Sequence, residues 1–235
     1  MKALILANVG HEYFCKDNIL PSCYLPLHDK MNVLERQISL LHVNGFTKDD
    51  ICVLFGTEGI WETESVKKIT ETIKVKKIFT EKNDLLCKDI FSNEFFAHED
   101  ILIIEGNQVF DIAILSRLIR YQHDNVLVVK RTIAPEQADH FLRLDGDRVQ
   151  EVLDSNFVFF PWVTFAGVAR FSQTSVEKLR KIVVSSMSLL DAIKELIKQA
   201  ELISIDYEDL LYGRLNGGHS DELTGGSYAS LNFID

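Results

Sequence analysis

Basic residues, proline, glycine and cysteine are all scarce in this chain. Lys and Arg number 25 against 35 Asp and Glu, a net charge of −10 over 235 residues. The chain therefore lacks the basic face that a phosphate backbone requires, and a general nucleic-acid binder is excluded. A small phosphorylated ligand needs only a local cationic pocket and stays open. Four prolines and 12 glycines exclude collagen-like and low-complexity architecture. No apolar run approaches the ~20 residues of a membrane-spanning helix, and the apolar start at 3–7 is shorter than the roughly 7–15 residues of a secretory core. No membrane partner is expected. Cys15, Cys23, Cys52 and Cys87 form no C-x-x-C pair, which reads as reduced thiols, mostly in or near the core of a cytoplasmic protein. His11, Cys15, Cys23 and His28 fit no common structural zinc spacing. What is present is 46% hydrophobic and 26% charged residues, the balance of a globular chain.

Over the first 130 residues, strand-like and helix-like patterns alternate. Apolar runs at 2–6, 51–55, 76–80, 101–104 and 125–129 read as strands, and 32–44, 63–73, 89–98 and 112–121 as helices. That alternation predicts an α/β fold with a mostly parallel, Rossmann-like central sheet and helices on both faces. Such sheets bind ligands beyond the carboxyl ends of their strands, so the loops after Leu6, Phe55 and Ile104 are the first candidates. After 131 the pattern changes. Asp145-Gly146-Asp147 between apolar runs predicts a β-hairpin over 140–153, 157–171 one or two strands, and 175–184 and 189–200 amphipathic helices. Residues 213–235 read mostly as loop. No repeat or linker interrupts the chain, so 1–235 is expected as one domain, with a smaller hairpin and helical region in its second half.

The order of these elements, with several local matches, resembles the nucleotidylyltransferase family that activates sugar phosphates and phosphocholine. The opening Met1-Lys-Ala-Leu-Ile-Leu-Ala7 is similar to that family's first strand. Pro21-Ser-Cys-Tyr-Leu-Pro-Leu27, Lys30, Leu34-Glu-Arg-Gln-Ile38 and Asn44-Gly-Phe46 follow in the family's order. The second strand and its glycine match 51–56. Ile101 to Asp111 (ILIIEGNQVFD) is similar to the metal-binding strand end, and Leu144 to Val149 with Phe165-Ala-Gly-Val-Ala-Arg-Phe-Ser172 to the acceptor side. The resemblance implies a fold of the type shared with GT-A glycosyltransferases, with 1–130 as the nucleotide-binding half and 131–235 as the acceptor-side half. It implies transfer of a nucleotidyl group from a nucleoside triphosphate, CTP favoured, to a small phosphorylated acceptor, with release of pyrophosphate and help from Mg²⁺. The family usually adds one more helix near where this chain ends, which reads as a part of a longer polypeptide; a homodimer is the other expected assembly.

Carried over residue by residue, the resemblance implies Ala7, Asn8, Val9, Gly10, Gly56 and Asn83 for the nucleotide. It implies Glu105 and Asn107 for the metal, with Asn232 or Asp235 in the place of the family's late second aspartate; Asp111 is a substitute ligand if the loop turns back. Gly167 falls to the acceptor. The charge cancellation that this chemistry needs, rather than the family's motif, singles out Lys16 and Lys30 as catalytic cations and Lys130 and Arg131 for the acceptor; none of them sits at the family's lysine position. The nucleophile is already anionic near neutral pH, so alignment and cancellation of repelling charge matter more than a general base. Departures are equally plain. Asn8-Val-Gly-His-Glu12 holds one glycine and an acid where the family has a glycine-rich, arginine-bearing loop, Ser22 replaces the lysine after proline, and Glu105 and Asn107 replace paired aspartates. The same fold with catalysis lost, serving ligand binding or subunit contact, is therefore the alternative. Blander readings stand beside these: Glu105-Gly-Asn107 as a strand-ending turn, Lys130-Arg131 as a solvated strand end, and the aromatics of 157–162 as packing.

Overall fold

The apolar run after Met1 forms strand β1 (Lys2–Leu6). The computed structural model describes residues 1–8, 12–15, 18–27, 31–80, 90–91, 93–132, 141–153, 162–182, 189–199, 202–206 and 212–214. Where the resemblance implies a glycine-rich loop there is a hairpin, β2 (Glu12–Cys15) and β3 (Asn18–Pro21), antiparallel to one another. Helix α1 (Val33–Val43) starts from a capping box: Glu35 N donates to Asn32 Oδ1 at 2.8 Å, and Asn32 N donates to Glu35 Oε2 at 2.9 Å. Both side chains satisfy amides that the first turn leaves open. Asn32→Ala should therefore lower stability by about 1 kcal/mol, read as a lower urea midpoint at unchanged slope. Strand β4 (Ile51–Gly56), helix α2 (Glu64–Thr72), β5 (Lys76–Thr80) and β6 (Ile101–Glu105) follow.

A single helix over 89–98 does not form. Asn93 accepts a hydrogen bond from Phe95 N and opens a 3₁₀ turn at Glu94–Phe96, and His98 has φ 63°. That local cap and the left-handed backbone break any longer helix. After β6 come β7 (Gln108–Phe110), helix α3 (Ile112–Arg120) and β8 (Val126–Thr132). The predicted hairpin is β9 (Phe141–Asp145) and β10 (Arg148–Leu153), with Gly146 at φ 62° in the first turn position, the place a two-residue hairpin loop reserves for glycine. Strand β11 (Trp162–Phe171), helices α4 (Gln173–Ile182) and α5 (Leu189–Lys198), β12 (Ile203–Asp206) and β13 (Tyr212–Arg214) complete the order. β12 lies in a stretch without a strand assignment above, and β13 enters the segment read mostly as loop.

Among the described residues, nine strands make one sheet in the order β5-β4-β1-β6-β11-β8-β12-β10-β9. Four neighbours, β5, β4, β1 and β6, are parallel. β11 is antiparallel to both β6 and β8, so the sheet is mixed, and β12 is parallel to β8. A second contact, Thr164 with Phe141, joins β11 to β9 and closes β11, β8, β12, β10 and β9 into a five-stranded ring. Helices do cover both faces. Leu34, Leu41, Val66, Ile114 and Leu118 pack with Ile5, Val53 and Ile104 on one side; Val176, Leu179, Ile193 and Leu196 pack with Leu4, Leu54 and Ile103 on the other. Cys23 and Cys52 are buried free thiols, and burial pushes the Cys52 thiol up to about 12, which keeps it protonated and inert. Among the described residues no helix is long and apolar enough to cross a membrane.

Candidate active site

Parallel strands bring several carboxyl ends to one edge, and β1 and β6 meet there in register, Leu6 beside Glu105. The chain then turns at Gly106, whose N–H donates to Leu6 O at 2.9 Å. A Cβ at Gly106 would lie 2.8 Å from Leu6 O and 2.9 Å from Ala7 Cα, so the glycine is what lets the β6 turn press against the end of β1. Ala7 and Asn8 leave β1 toward β4, both amides donating to Leu54 O, at 2.9 and 3.2 Å.

Two glutamines fix this turn. Gln37, buried on α1, donates from Nε2 to Glu105 O at 3.0 Å and to Gln108 O at 2.8 Å. Gln108, fully buried, donates from Nε2 to Glu105 Oε2 at 2.9 Å and to Asn107 Oδ1 at 3.0 Å. One carboxamide thus clamps the backbone of the turn and the other holds the side-chain oxygens of Glu105 and Asn107. Glu105 is 7% exposed and Asn107 3%, so their acceptor oxygens stand in a low-dielectric place where charge interactions are strong. β11 closes the other side. Its pairing shifts register between Phe165 and Ala169, with Gly167 at φ 72°. A Cβ on Gly167 would approach Glu105 Oε2 to 2.6 Å and Gln108 Nε2 to 2.8 Å.

The structure thus brings together Ala7, Asn8, Glu105, Asn107 and Gly167 from the residues that the sequence singled out. Gly56 ends β4 on the same edge, but its missing side chain is filled by Trp61: a Cβ would meet the indole Cδ1 at 2.3 Å, so packing accounts for this glycine. Asp111 does not turn back toward Glu105. β7 intervenes, and the Asp111 carboxylate caps α3, accepting from Ala113 N at 2.7 Å. Lys130 and Arg131 lie at the same sheet edge, because β6 and β8 are both antiparallel to β11. Arg131 is ion-paired to Asp206 at the end of β12. Val9, Gly10, Lys16, Lys30, Asn83, Asn232 and Asp235 lie outside the described residues. Gln37 and Gln108 were missed. A glutamine between Leu34 and Leu41 on the apolar side of a helix was the signal for the first, and Gln108 had none.

No protein-family model matches the chain. It is 24% identical over 151 residues, 59% of its own length, to the chloroplastic ornithine carbamoyltransferase of Pisum sativum. The chain spans 38% of the length of that curated relative, too little and too distant to assign a family. Solved structures cover nearly everything. The inositol-1-phosphate CTP transferase from T. maritima superposes with a TM-score of 0.68, at 15% identity, over 95% of this chain and 93% of that one. A structure from Bacillus anthracis described as a glucose-1-phosphate thymidylyltransferase, in complex with sucrose, gives 0.71 at 12% identity, over 100% and 97%. The fold is that of these nucleotidyltransferases. Its sheet places the turn after β6 and the end of β1 side by side, as described above.

Proposed function

We propose that the protein is a nucleotidylyltransferase acting on a small phosphorylated acceptor. The observation that carries this reading is Glu105, a buried carboxylate held by Gln108 where β6 and β1 end together, in a fold matched over nearly its whole length by nucleotidyltransferases. An acceptor phosphate oxygen attacks the α-phosphorus of a nucleoside triphosphate, CTP favoured; the new P–O bond forms as the bond to pyrophosphate breaks. No proton need be abstracted, so the work of the chain is to align anions and cancel their repulsion. One carboxylate and one carboxamide oxygen suit the sparse protein ligation that magnesium accepts when substrate phosphates fill its other positions. Glu105 and Asn107 would hold that ion, which neutralises phosphate charge when bound; Asn232 is the proposed third ligand. Lys16 and Lys30 are proposed as the cations on the triphosphate, and Lys130, Arg131 and Gly167 as the acceptor side.

The test is pyrophosphate release from CTP, UTP, GTP, ATP and TTP, with Mg²⁺, against inositol 1-phosphate, glucose 1-phosphate and phosphocholine. Product should form with at least one pair, and Glu105→Gln should lower kcat by about 10²-fold or more, the scale of losing one electrostatic stabiliser in a dry site. No product from any pair overturns the reading. A binding module on the same fold is the second reading. It is favoured by Gln108, which already occupies oxygens of both Glu105 and Asn107. It predicts a nucleotide-dependent rise in melting temperature with no pyrophosphate released.

A further inference from the structure

Gln108 is completely buried, and its Nε2 donates at once to Glu105 Oε2 at 2.9 Å and to Asn107 Oδ1 at 3.0 Å. A plug over the turn would have to leave before a ligand entered, and the packing around Gln108 opposes that. Its own carbonyl is held by Gln37 Nε2 at 2.8 Å, and its backbone pairs with Arg214 of β13. A Cβ on Gly167 would meet Gln108 Nε2 at 2.8 Å and Cγ at 2.9 Å, and Glu105 Oε2 at 2.6 Å. Gln108 is therefore a fixed wall, with Oε2 packed between its amide and β11. A carboxylate with one oxygen committed in this way meets a cation through the other. The same amide sets which way the Asn107 carboxamide faces, placing its oxygen, which has two lone pairs, on the nitrogen that also holds Glu105.

We propose that Gln108 is a positioning residue that makes this pair selective for a small octahedral cation, Mg²⁺ over Ca²⁺. The inference rests on the proposed metal role of Glu105 and Asn107 and adds what decides the ion. Mg²⁺ keeps several waters and needs few protein oxygens, whereas Ca²⁺ takes about six to eight oxygens in a flexible shell, often with a carboxylate bound through both of its own. A rigid turn that offers one oxygen from each residue suits the first ion and leaves the second short. Among the described residues no three of His, Cys, Asp and Glu gather to add ligands.

The experiment follows Mn²⁺, a paramagnetic ion of octahedral oxygen sites, through the loss of its free-ion electron paramagnetic resonance signal, and displaces it with Mg²⁺ or Ca²⁺. Mg²⁺ should displace Mn²⁺ from the wild type at a lower concentration than Ca²⁺ does; the reverse order overturns the inference without any variant. Gln108→Met keeps the length of the side chain and removes its N–H groups. Its Mn²⁺ affinity should fall by about 10–100-fold, and the preference for Mg²⁺ should narrow. Gln37→Met controls for a loosened turn, because Gln37 bonds the backbone carbonyls there rather than the side chains. It should lower the melting temperature and keep the preference. Equal narrowing in both variants, or an unchanged affinity or preference in Gln108→Met, overturns the inference and leaves the site. A wild type that takes up no Mn²⁺ removes the metal site itself, and with it the reading on which the inference rests.

Discussion

Gly167→Ala should lower the melting temperature by roughly 6–12 °C and abolish the melting shift given by bound nucleotide. Gly146→Ala should keep that shift and lose less stability. Both glycines have positive φ, 72° and 62°, and an alanine there costs about 1–2 kcal/mol in backbone strain alone. Their surroundings differ. Nothing lies within 4 Å of a Cβ at Gly146, whereas at Gly167 that atom falls 2.6 Å from Glu105 Oε2 and 2.9 Å from Gln108 Cγ. Glu105 and Gln108 are buried and bonded to one another, so moving them breaks their pair and adds an overpacking cost of about 1–3 kcal/mol. At 2–4 °C per kcal/mol for a chain of this size, a total near 3 kcal/mol gives the stated range. Differential scanning fluorimetry of both variants, with and without CTP and Mg²⁺, decides the matter. Equal losses in the two would mean that Glu105 moves aside freely and that β11 does not shape the turn.

Arg170→Leu should cost about 3 kcal/mol with little change in ligand affinity at 20 °C. Arg170 lies in the half of β11 that pairs with β6 and β8, and it is 7% exposed. Its guanidinium donates to Leu118 O at 2.9 Å, Ile119 O at 3.0 Å and Tyr121 O at 2.8 Å, and also to His123 O. These carbonyls end α3 and lead into β8, where the helix leaves acceptors open and the macrodipole is negative. Burial holds the Arg170 pKa below its usual value, with Asp100 and Asp124 opposing that shift. Leucine keeps the apolar stem but strands several acceptors, at about 1–3 kcal/mol for each that water cannot reach. Arg170→Lys should recover only part, since one ammonium lacks the planar fork that spans several carbonyls. Chemical denaturation measures both, and a loss below 1 kcal/mol in the leucine variant would contradict this account.

Much of residues 1–130 was legible because β4 and β6 are continuous apolar runs closed by glycine or acid and β1 is apolar after Lys2. β1, β4 and β6 are buried on both faces, and burial leaves a sequence with few other choices. Asp145-Gly146 marked its hairpin because the turn demands positive φ. The second half was less legible for a physical reason. β12 is only Ile203–Asp206 and β13 only Tyr212–Arg214, too short to show a period, and each is fixed by a partner distant in sequence. The antiparallel insertion of β11 was hidden in the same way, since strand direction depends on pairing. At the site, Glu105, Asn107 and Asn8 stood out by their place after apolar strands. Gln108 could not, because its role is to bridge two neighbours, a relation that exists only after the turn has formed.

Ring closure at Thr164 and Phe141 also bears on how copies of this protein behave in concentrated solution. With β11, β8, β12, β10 and β9 engaged among themselves, β5 is the end strand of the open flank, and among the described residues no strand neighbours its outer row of backbone groups. Such a row is a template for unwanted self-pairing, and lysine is a common guard against it. Lys76 and Lys77 begin β5, and Lys74 stands just before it. Their mutual repulsion, felt again whenever two such borders meet, discourages stacking of chains into fibrils along this border.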